Sequence, residues 1–178
     1  NWNIKRLLKQ EEFVQALKDI NIDMKEIDGV QNFFLNNENV SNDIRTKEVD
    51  SFVSQVSHIV CVRNAMVNLQ RKLAEGKQMI MEGRDIGTNV FPNADVKIYL
   101  DASAEERAKR RLKQNLEKGI DNISYEEILE NVKFRDNNDK TSNVAPLKKA
   151  EDAILIDSTG MTIDEVVNKI EKIVIKNM

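Results

Sequence analysis

Two carboxylates and an arginine directly follow a short apolar run in the middle of the chain. Residues 79–81 are predicted to form a buried strand, and Glu82, Arg84 and Asp85 come at its carboxyl end. Ligands of open α/β sheets bind beyond the carboxyl ends of strands, and the planar fork of a guanidinium suits a phosphate there. The carboxylates can accept from amino or hydroxyl groups or hold a hydrated metal ion. From this segment alone, an Arg–Asp ion pair that closes the turn is an equally good interpretation.

Other arginines of the chain occur where they can reach an anion. Arg135 and Asp139 are four residues apart on a predicted helix and so share one face, which most often means a surface ion pair. The predicted helix over 103–118 is rich in cations and has only a thin apolar stripe. It is either a solvated helix with internal ion pairs or a mobile lid that excludes water during phosphoryl transfer. The arginines that such a lid would supply are Arg107, Arg110 and Arg111.

The composition excludes several classes of function. The chain has 178 residues, 40% of them hydrophobic, and a net charge of −3, which is typical of a globular protein and argues against bulk nucleic-acid binding. No apolar run approaches the ~18 residues that a membrane span needs. Cys61 is the only cysteine, so no internal disulfide can form and a reducing cytoplasm is expected. His58 is the only histidine, which disfavours a histidine-based zinc site.

The elements that must position these residues are predicted from hydrophobic spacing and turn signals. Helices are predicted over 3–20, 46–57, 61–75, 103–118, 124–139 and 162–175, and strands over 22–27, 33–35, 79–81, 96–100 and 153–156. Asp28-Gly29 is a strong turn signal, and a serine or threonine with a glutamate three residues later marks the predicted helix starts at Ser103, Ser124 and Thr162. From residue 77 onward strands alternate with helices, which indicates a parallel sheet with helical crossovers.

In combination, these features resemble the bacterial cytidylate kinases, a family of P-loop nucleoside-monophosphate kinases. The matching landmarks follow the family order over nearly the whole chain, and the most specific of them is the run from Glu82 to Pro92. The others are Ile44-Arg45-Thr46, Ser54-Gln55-Val56, Val62-Arg63, Lys97-Ile98-Tyr99-Leu100, Glu106-Arg107-Ala108, Arg110-Arg111, Arg135-Asp136, Asp139, Ala145-Pro146-Leu147 and Asp152-Ala153.

The resemblance implies an α/β fold of three layers, the P-loop nucleoside-monophosphate kinase fold, with a parallel sheet. Residues 1–178 are then one domain, with a β-rich acceptor-binding insert over about 21–75 and a lid over about 103–139. The implied reaction is transfer of the γ-phosphoryl group of ATP to CMP or dCMP, with Mg²⁺ accompanying ATP. The expected protein is a cytoplasmic monomer that binds these small molecules, with no nucleic acid, membrane or protein partner.

The resemblance also implies roles for individual residues. Arg84 is expected to hold the phosphate of the acceptor, and Glu82 to orient hydrated magnesium. Ser54, Arg63 and Asp85 are expected to read the cytosine edge. The full set for CMP is Arg45, Ser54, Arg63, Arg84, Asp85, Arg135 and Asp139, and the full catalytic set is Arg84, Arg107, Arg110 and Arg111.

The chain departs from the family pattern in two places. Ser142 stands where the family usually has an arginine, so either another cation such as Lys140 replaces it or the pyrimidine contacts are looser. The glycine-rich phosphate loop has no match, since no Gly-Xaa4-Gly-Lys-Ser/Thr occurs in the chain. The family's central strand leads into that loop, so we expect the protein to continue upstream of Asn1 and to need that part for activity.

Two other interpretations remain open from the sequence. One is a non-catalytic fragment or relative that binds CMP but not ATP. The other is a related small-molecule kinase of the same fold, against which the β-rich insert and the set of Ser54, Arg63 and Asp85 argue.

Overall fold

The computed structural model describes residues 10–57, 59–117, 119, 123–142 and 144–177. The first part of the helix predicted over 3–20 therefore lies outside the described residues, and so does His58. The chain divides into two compact units, Asn1–Met79 and Ile80–Met178, and each is described by itself. Across the described ranges, no helix combines the length and the apolar character that crossing a bilayer requires.

The first unit contains an antiparallel sheet whose register is set by its turn. Strand β1 (Ile22–Ile27) pairs with β2 (Val30–Leu35), with Ile27 opposite Val30 and Ile22 opposite Leu35. The two residues between them are Asp28 and Gly29, both with positive φ, as a tight hairpin turn requires. The short strand β3 (Glu38–Asn39) pairs with β2 and completes the sheet. The predicted strand, turn and hairpin are confirmed here.

The described part of the first unit also contains three α-helices. Helix α1 spans Gln10–Lys18 and contacts α3. A 3₁₀ turn over Asp43–Arg45 leads into α2 (Lys47–Ser57), and α3 follows over Val60–Ala74. Gly76, at φ 66°, stops α3, because a glycine adopts this left-handed conformation without steric cost.

The second unit contains two parallel strands joined by a helical crossover. Strand β4 (Ile98–Asp101) pairs with β5 (Ile154–Asp157), with Ile98 opposite Ile154 and Asp101 opposite Asp157. Between them lie helix α4 (Ala104–Glu117) and helix α5 (Tyr125–Thr141), and α6 (Ile163–Asn177) follows β5. This confirms the predicted alternation of helices with parallel strands.

Helices α4 and α5 pack against each other along one apolar seam. Ala108 of α4 and Ile128 and Val132 of α5 are buried in it. Ser124 begins α5 with a complete capping box, in which its hydroxyl accepts from the Glu127 amide and the Glu127 carboxylate accepts from the Ser124 amide. The seam and the cap fix the position of the α5 side chains relative to α4.

The strand predicted over 79–81 is wrong. Residues 78–82 have no regular secondary structure, and Ile80 is 100% exposed. A strand needs a neighbour to satisfy its backbone amides and carbonyls, and among the described residues none pairs with this segment. Three apolar residues signal a strand only weakly without that partner.

Candidate functional site

The carboxylate of Asp85 lies at the start of a single π-helical turn, Ile86–Val90. The Asp85 carbonyl accepts from the amides of Asn89 at 2.9 Å and Val90 at 3.2 Å, and its Oδ2 accepts from the Asn89 side-chain amide at 2.9 Å. Asp85 is only 6% exposed. Isolated π-helical turns occur frequently at functional sites, and this one holds a buried carboxylate in a fixed orientation.

Gly83 permits the close approach of the chain before this turn. A β-carbon at position 83 would lie 2.8 Å from Cγ1 and 3.1 Å from Cδ1 of Ile86. A larger residue would force Ile86, the first residue of the π-helical turn, to move. Gly83 thus leaves room for the Ile86 side chain between Glu82 on one side and Arg84-Asp85 on the other.

A cleft of about 380 Å³ in the second unit collects five arginines. Its size is within the range of small-molecule sites. It is lined by Arg84, Arg107, Arg110, Arg111, Gln114, Asn115, Asn131, Val132, Arg135 and Asp136. All four residues predicted to be catalytic are thus brought together, and Arg135 of the predicted CMP set joins them.

Helical spacing explains why these side chains share the cleft. Arg107, Arg111 and Asn115 follow each other at intervals of four along α4, so they lie on one face. The same spacing relates Arg135 to Asn131 on α5. The amides Gln114, Asn115 and Asn131 were missed from the sequence, although their offset of four from the arginines was the signal that could have found them.

Arg107 joins the two helices through a two-pronged ion pair. Its Nη1 and Nη2 donate to Oδ1 and Oδ2 of Asp136 at 2.7 Å and 2.5 Å, and its Nε donates to the Ala102 carbonyl at 3.1 Å. This hydrogen bonding lowers the pKa of the Asp136 carboxyl and raises the pKa of the Arg107 guanidinium. Asp136 therefore stays ionised to a lower pH than an ordinary aspartate, and Arg107 has most of its donors committed inside the protein.

Arg110 is committed to a different part of the second unit. Its Nη2 donates to the carbonyls of Ser158 at 2.5 Å and Met161 at 3.3 Å, and its Nε donates to Glu106 at 3.0 Å. These contacts tie α4 to the loop between β5 and α6. Ser158 is itself buried and accepts a further bond at its hydroxyl from Arg110 Nη1.

Arg111 and Arg135 differ from these two arginines. Within the described ranges, neither has an ion-pair or hydrogen-bond partner for its side chain, although both line the cleft. Guanidinium groups held close together repel each other unless an anion lies between them. The two side chains are therefore available to a negatively charged ligand.

Asp139 forms an ion pair with Arg84. Its spacing in the sequence had suggested an ion pair with Arg135 instead. Arg84 Nε lies 2.9 Å from Asp139 Oδ2. The contact is an ion pair and not a hydrogen bond, since the buried Oδ2 atom accepts no hydrogen bond from any described residue. Arg84 is 51% exposed, so the rest of its guanidinium remains accessible to a ligand.

The remaining predicted residues lie in other elements of the chain. Arg45 ends the 3₁₀ turn of the first unit, Ser54 lies in α2 with its side chain outside the described part, and Arg63 lies in the first turn of α3. Glu82 is exposed in the segment before Gly83. Ser142 ends α5 and uses its hydroxyl locally, donating to the Val144 carbonyl at 2.8 Å.

A magnesium ion would need few ligands from the protein here. Among the described residues, no group of three or more Asp, Glu, His or Cys could hold a metal ion. Mg²⁺ is usually bound by one or two carboxylates together with substrate phosphates, so the single exposed carboxylate of Glu82 fits an ion that arrives with a nucleotide.

Comparison with known proteins gives a consistent match along the chain. The family model for cytidylate kinase matches residues 4–176. A cytidylate kinase of Fusobacterium nucleatum is 50% identical over 161 residues, which is 90% of this chain and 72% of the relative. A cytidylate kinase of Caldicellulosiruptor bescii is 47% identical over 94% of this chain and 75% of the relative. One of Thermosipho melanesiensis is 45% identical over 92% and 73%.

Proposed function

Because this chain belongs to the cytidylate kinase family, we propose that it transfers the γ-phosphoryl group of ATP to CMP or dCMP, giving CDP or dCDP. In this reaction a phosphate oxygen of the acceptor forms a bond to the γ-phosphorus. The bond from that phosphorus to the β–γ bridging oxygen breaks, and ADP leaves. The family has the P-loop nucleoside-monophosphate kinase fold, in which the parallel strands β4 and β5 with their helices belong to the α/β core.

The cleft with five arginines is the observation that supports this function best. Two polyanionic substrates repel each other, and the transition state spreads charge over the oxygens of the transferred group. Cations held in place before the reaction stabilise that charge without reorganisation. The guanidinium groups of Arg111 and Arg135, which have no partner in the described part of the chain, serve this purpose, and Arg84 presents its exposed edge.

Arg84 and Asp85 divide the recognition of the acceptor between them. Arg84 binds the phosphate of CMP with its planar fork while Asp139 holds it from the other side. Asp85 accepts a hydrogen bond from the exocyclic amino group of cytosine, since an ionised carboxylate is an acceptor only and can take several hydrogen bonds at its two oxygens. Arg135 and Asp139 contact the region of the sugar. Lys140, one of the cations that influence Asp136, supplies positive charge near the position of Ser142.

Several finer assignments stay predictions. They are the roles of Arg45, Ser54 and Arg63 in binding CMP, the acceptor-binding insert over about 21–75, the lid over about 103–139, and the monomeric state. In this proposal Glu82 would hold Mg²⁺ through water, and the ion would supply positive charge that neutralises the phosphates of ATP. The single cysteine, Cys61, is half-buried and free, which suits a reducing cytoplasm.

A comparison of the neighbouring Arg110 and Arg111 distinguishes a residue that contributes to stability from one that contributes to turnover. Arg111→Ala is expected to lower kcat about a hundredfold and leave the melting temperature unchanged, because it removes a charge that has no partner among the described residues. Arg110→Ala removes hydrogen bonds to two carbonyls and is expected to cost about 2 kcal/mol in the free energy of unfolding. Steady-state kinetics and urea titration of both variants measure the two effects. Equal loss of stability in both would contradict the distinction.

The proposed reaction itself is tested by a coupled assay that detects ADP. CMP and dCMP are expected to be phosphorylated in preference to UMP and AMP. Calorimetry on the full-length protein that showed CMP binding without any turnover would refute the proposed kinase activity. A preference of the same protein for UMP or AMP would refute the proposed specificity for cytosine. A lysine outside the cleft, Lys172 on α6, provides a matched control, since Lys172→Ala removes a cation and should leave turnover unchanged.

A further inference from the structure

Lys97 is a nearly buried cation that the proposed reaction does not use. Its side chain is 7% exposed, whereas that of its partner Asp152 is 64% exposed. Lys97 Nζ donates to Asp152 Oδ1 and Oδ2 at 2.9 Å and 2.6 Å, and also to the carbonyl of Pro92. Its ammonium lowers the pKa of the Asp152 carboxyl. One side chain thus connects two segments that are far apart in sequence.

The stem of Lys97 packs on the π-helical turn. A β-carbon at Gly87 would lie 3.3 Å from Cδ of Lys97, so the methylene chain covers the turn closely at the position where Gly87 has no side chain. The backbone of Lys97 is also fixed, because its carbonyl accepts from the Ile154 amide at 2.9 Å at the start of the parallel sheet. The lysine is therefore held at both ends, by the sheet and by Asp152.

Lys97 contacts the π-helical turn at two points, one within the turn and one directly after it, and the hydrogen bonds of this turn orient Asp85. The turn is closed by Val90 donating to the Asp85 carbonyl at 3.2 Å and by Phe91 donating to the Ile86 carbonyl at 2.7 Å. Gly87 is inside this turn, and Pro92 comes directly after it. A displacement of Pro92 or of Gly87 would therefore strain the bonds that fix the Asp85 main chain.

We propose that Lys97, held by Asp152, is a positioning residue that fixes the π-helical turn so that the Asp85 carboxylate meets the cytosine of CMP. The link to CMP rests on the proposed function, whereas the fixing of the turn does not. Lys97 touches neither substrate; it acts through the Pro92 carbonyl and through the packing of its stem on Gly87. An ammonium so little exposed requires its carboxylate partner, because an unpaired buried charge is costly.

The proposal predicts that removing the Lys97 ammonium weakens the binding of CMP much more than the binding of ATP. Lys97→Met keeps the apolar stem and removes the ammonium, so Pro92 and Asp152 lose their donor. The KM for CMP is expected to rise about tenfold, as small misplacements of a binding group do, while the KM for ATP changes less than about twofold. Asp152→Asn should give a smaller change in the same direction. Lys97→Arg keeps the charge and should restore most of the affinity for CMP.

Hydrogen exchange of the backbone measures the turn without any substrate. In Lys97→Met, the amides of Asn89, Val90 and Phe91 are expected to exchange at least about tenfold faster, because local opening exposes their hydrogen bonds. Glu151→Gln changes the exposed carboxylate next to Asp152 and is the matched control, for which no change is expected. The exchange rates of the α6 amides show whether the substitution has destabilised the whole second unit and not only the turn.

The outcomes test separately whether Lys97 fixes the turn and whether the fixed turn helps to recognise cytosine. Unchanged exchange at residues 89–91 in Lys97→Met would overturn the fixing of the turn, whatever the kinetics. Faster exchange with an unchanged KM for CMP would overturn the link between the turn and cytosine. If Asp85→Asn also left the recognition of cytosine unchanged, the error would lie in the proposed role of Asp85. An equal rise of exchange in α6 would overturn the local role of Lys97.

Discussion

Arg84→Ala is expected to lower kcat/KM for CMP by roughly a thousandfold, since an arginine that neutralises a phosphoryl group in the transition state has an effect of this order. Arg84 belongs to the cleft, and its exposed guanidinium edge is available to the acceptor phosphate. Its ion pair with Asp139 is partly exposed and contributes little to stability, about 1 kcal/mol or less. The variant should therefore remain folded, with a melting temperature within a few degrees of the parent protein.

The shape of the guanidinium can be separated from its charge. Arg84→Lys retains the charge but cannot donate two parallel hydrogen bonds to a phosphate, so it is expected to recover only part of the lost activity. Lys172→Ala, outside the cleft, should behave as the parent protein. Steady-state kinetics with CMP as the varied substrate decide the matter. A value of kcat/KM within tenfold of the parent for Arg84→Ala would show that the acceptor phosphate is bound elsewhere.

Asp85→Asn is expected to change the preference between CMP and UMP by about three orders of magnitude. A carboxylate accepts from the amino group of cytosine, whereas uracil presents a carbonyl oxygen at that position. The asparagine amide can instead donate to that carbonyl. Losing the charge-assisted hydrogen bond disfavours CMP by about 2 kcal/mol, and replacing the repulsion between the carboxylate and the uracil carbonyl with a neutral hydrogen bond favours UMP by about 2 kcal/mol.

The shape of the site should tolerate this substitution. Asparagine is nearly isosteric with aspartate, and its oxygen can still accept from the Asn89 amide, as Oδ2 of Asp85 does at 2.9 Å. The ratio of kcat/KM for CMP to that for UMP is the measurement, with circular dichroism to verify folding. Asp95→Asn alters an exposed carboxylate elsewhere in the second unit and is the control. A ratio equal to that of the parent would exclude Asp85 from recognition of the base.

The local elements were predictable where neighbouring residues determine them. Asp28-Gly29 is sufficient to fix the β1–β2 turn, because both residues accept positive φ. Ser124 with Glu127 marks the start of α5, because the capping hydrogen bonds form between residues only three apart in the sequence. The prediction of a strand over 79–81 was wrong because a strand depends on a partner from elsewhere in the chain, which composition does not reveal.

Which arginines line the cleft was more predictable than which residues they pair with. The arginines of the cleft could be found from their spacing on helices and from family resemblance. Their partners could not, because Arg107 pairs with Asp136 on another helix and Arg110 with the loop at Ser158. Asp139 likewise contacts Arg84 rather than Arg135, four residues away. These pairings depend on the packing of distant segments, as does the burial of Lys97.

The two-pronged bond between Arg107 and Asp136 has a consequence for how the second unit loses its structure. It adds to the apolar seam of Ala108, Ile128 and Val132, so α4 and α5 are joined by both packing and charge. Segments joined in this way open cooperatively and not one residue at a time. Because the two helices supply four of the five arginines, local melting would disperse the positive charge of the cleft in a single event, and partly assembled binding sites would be scarce.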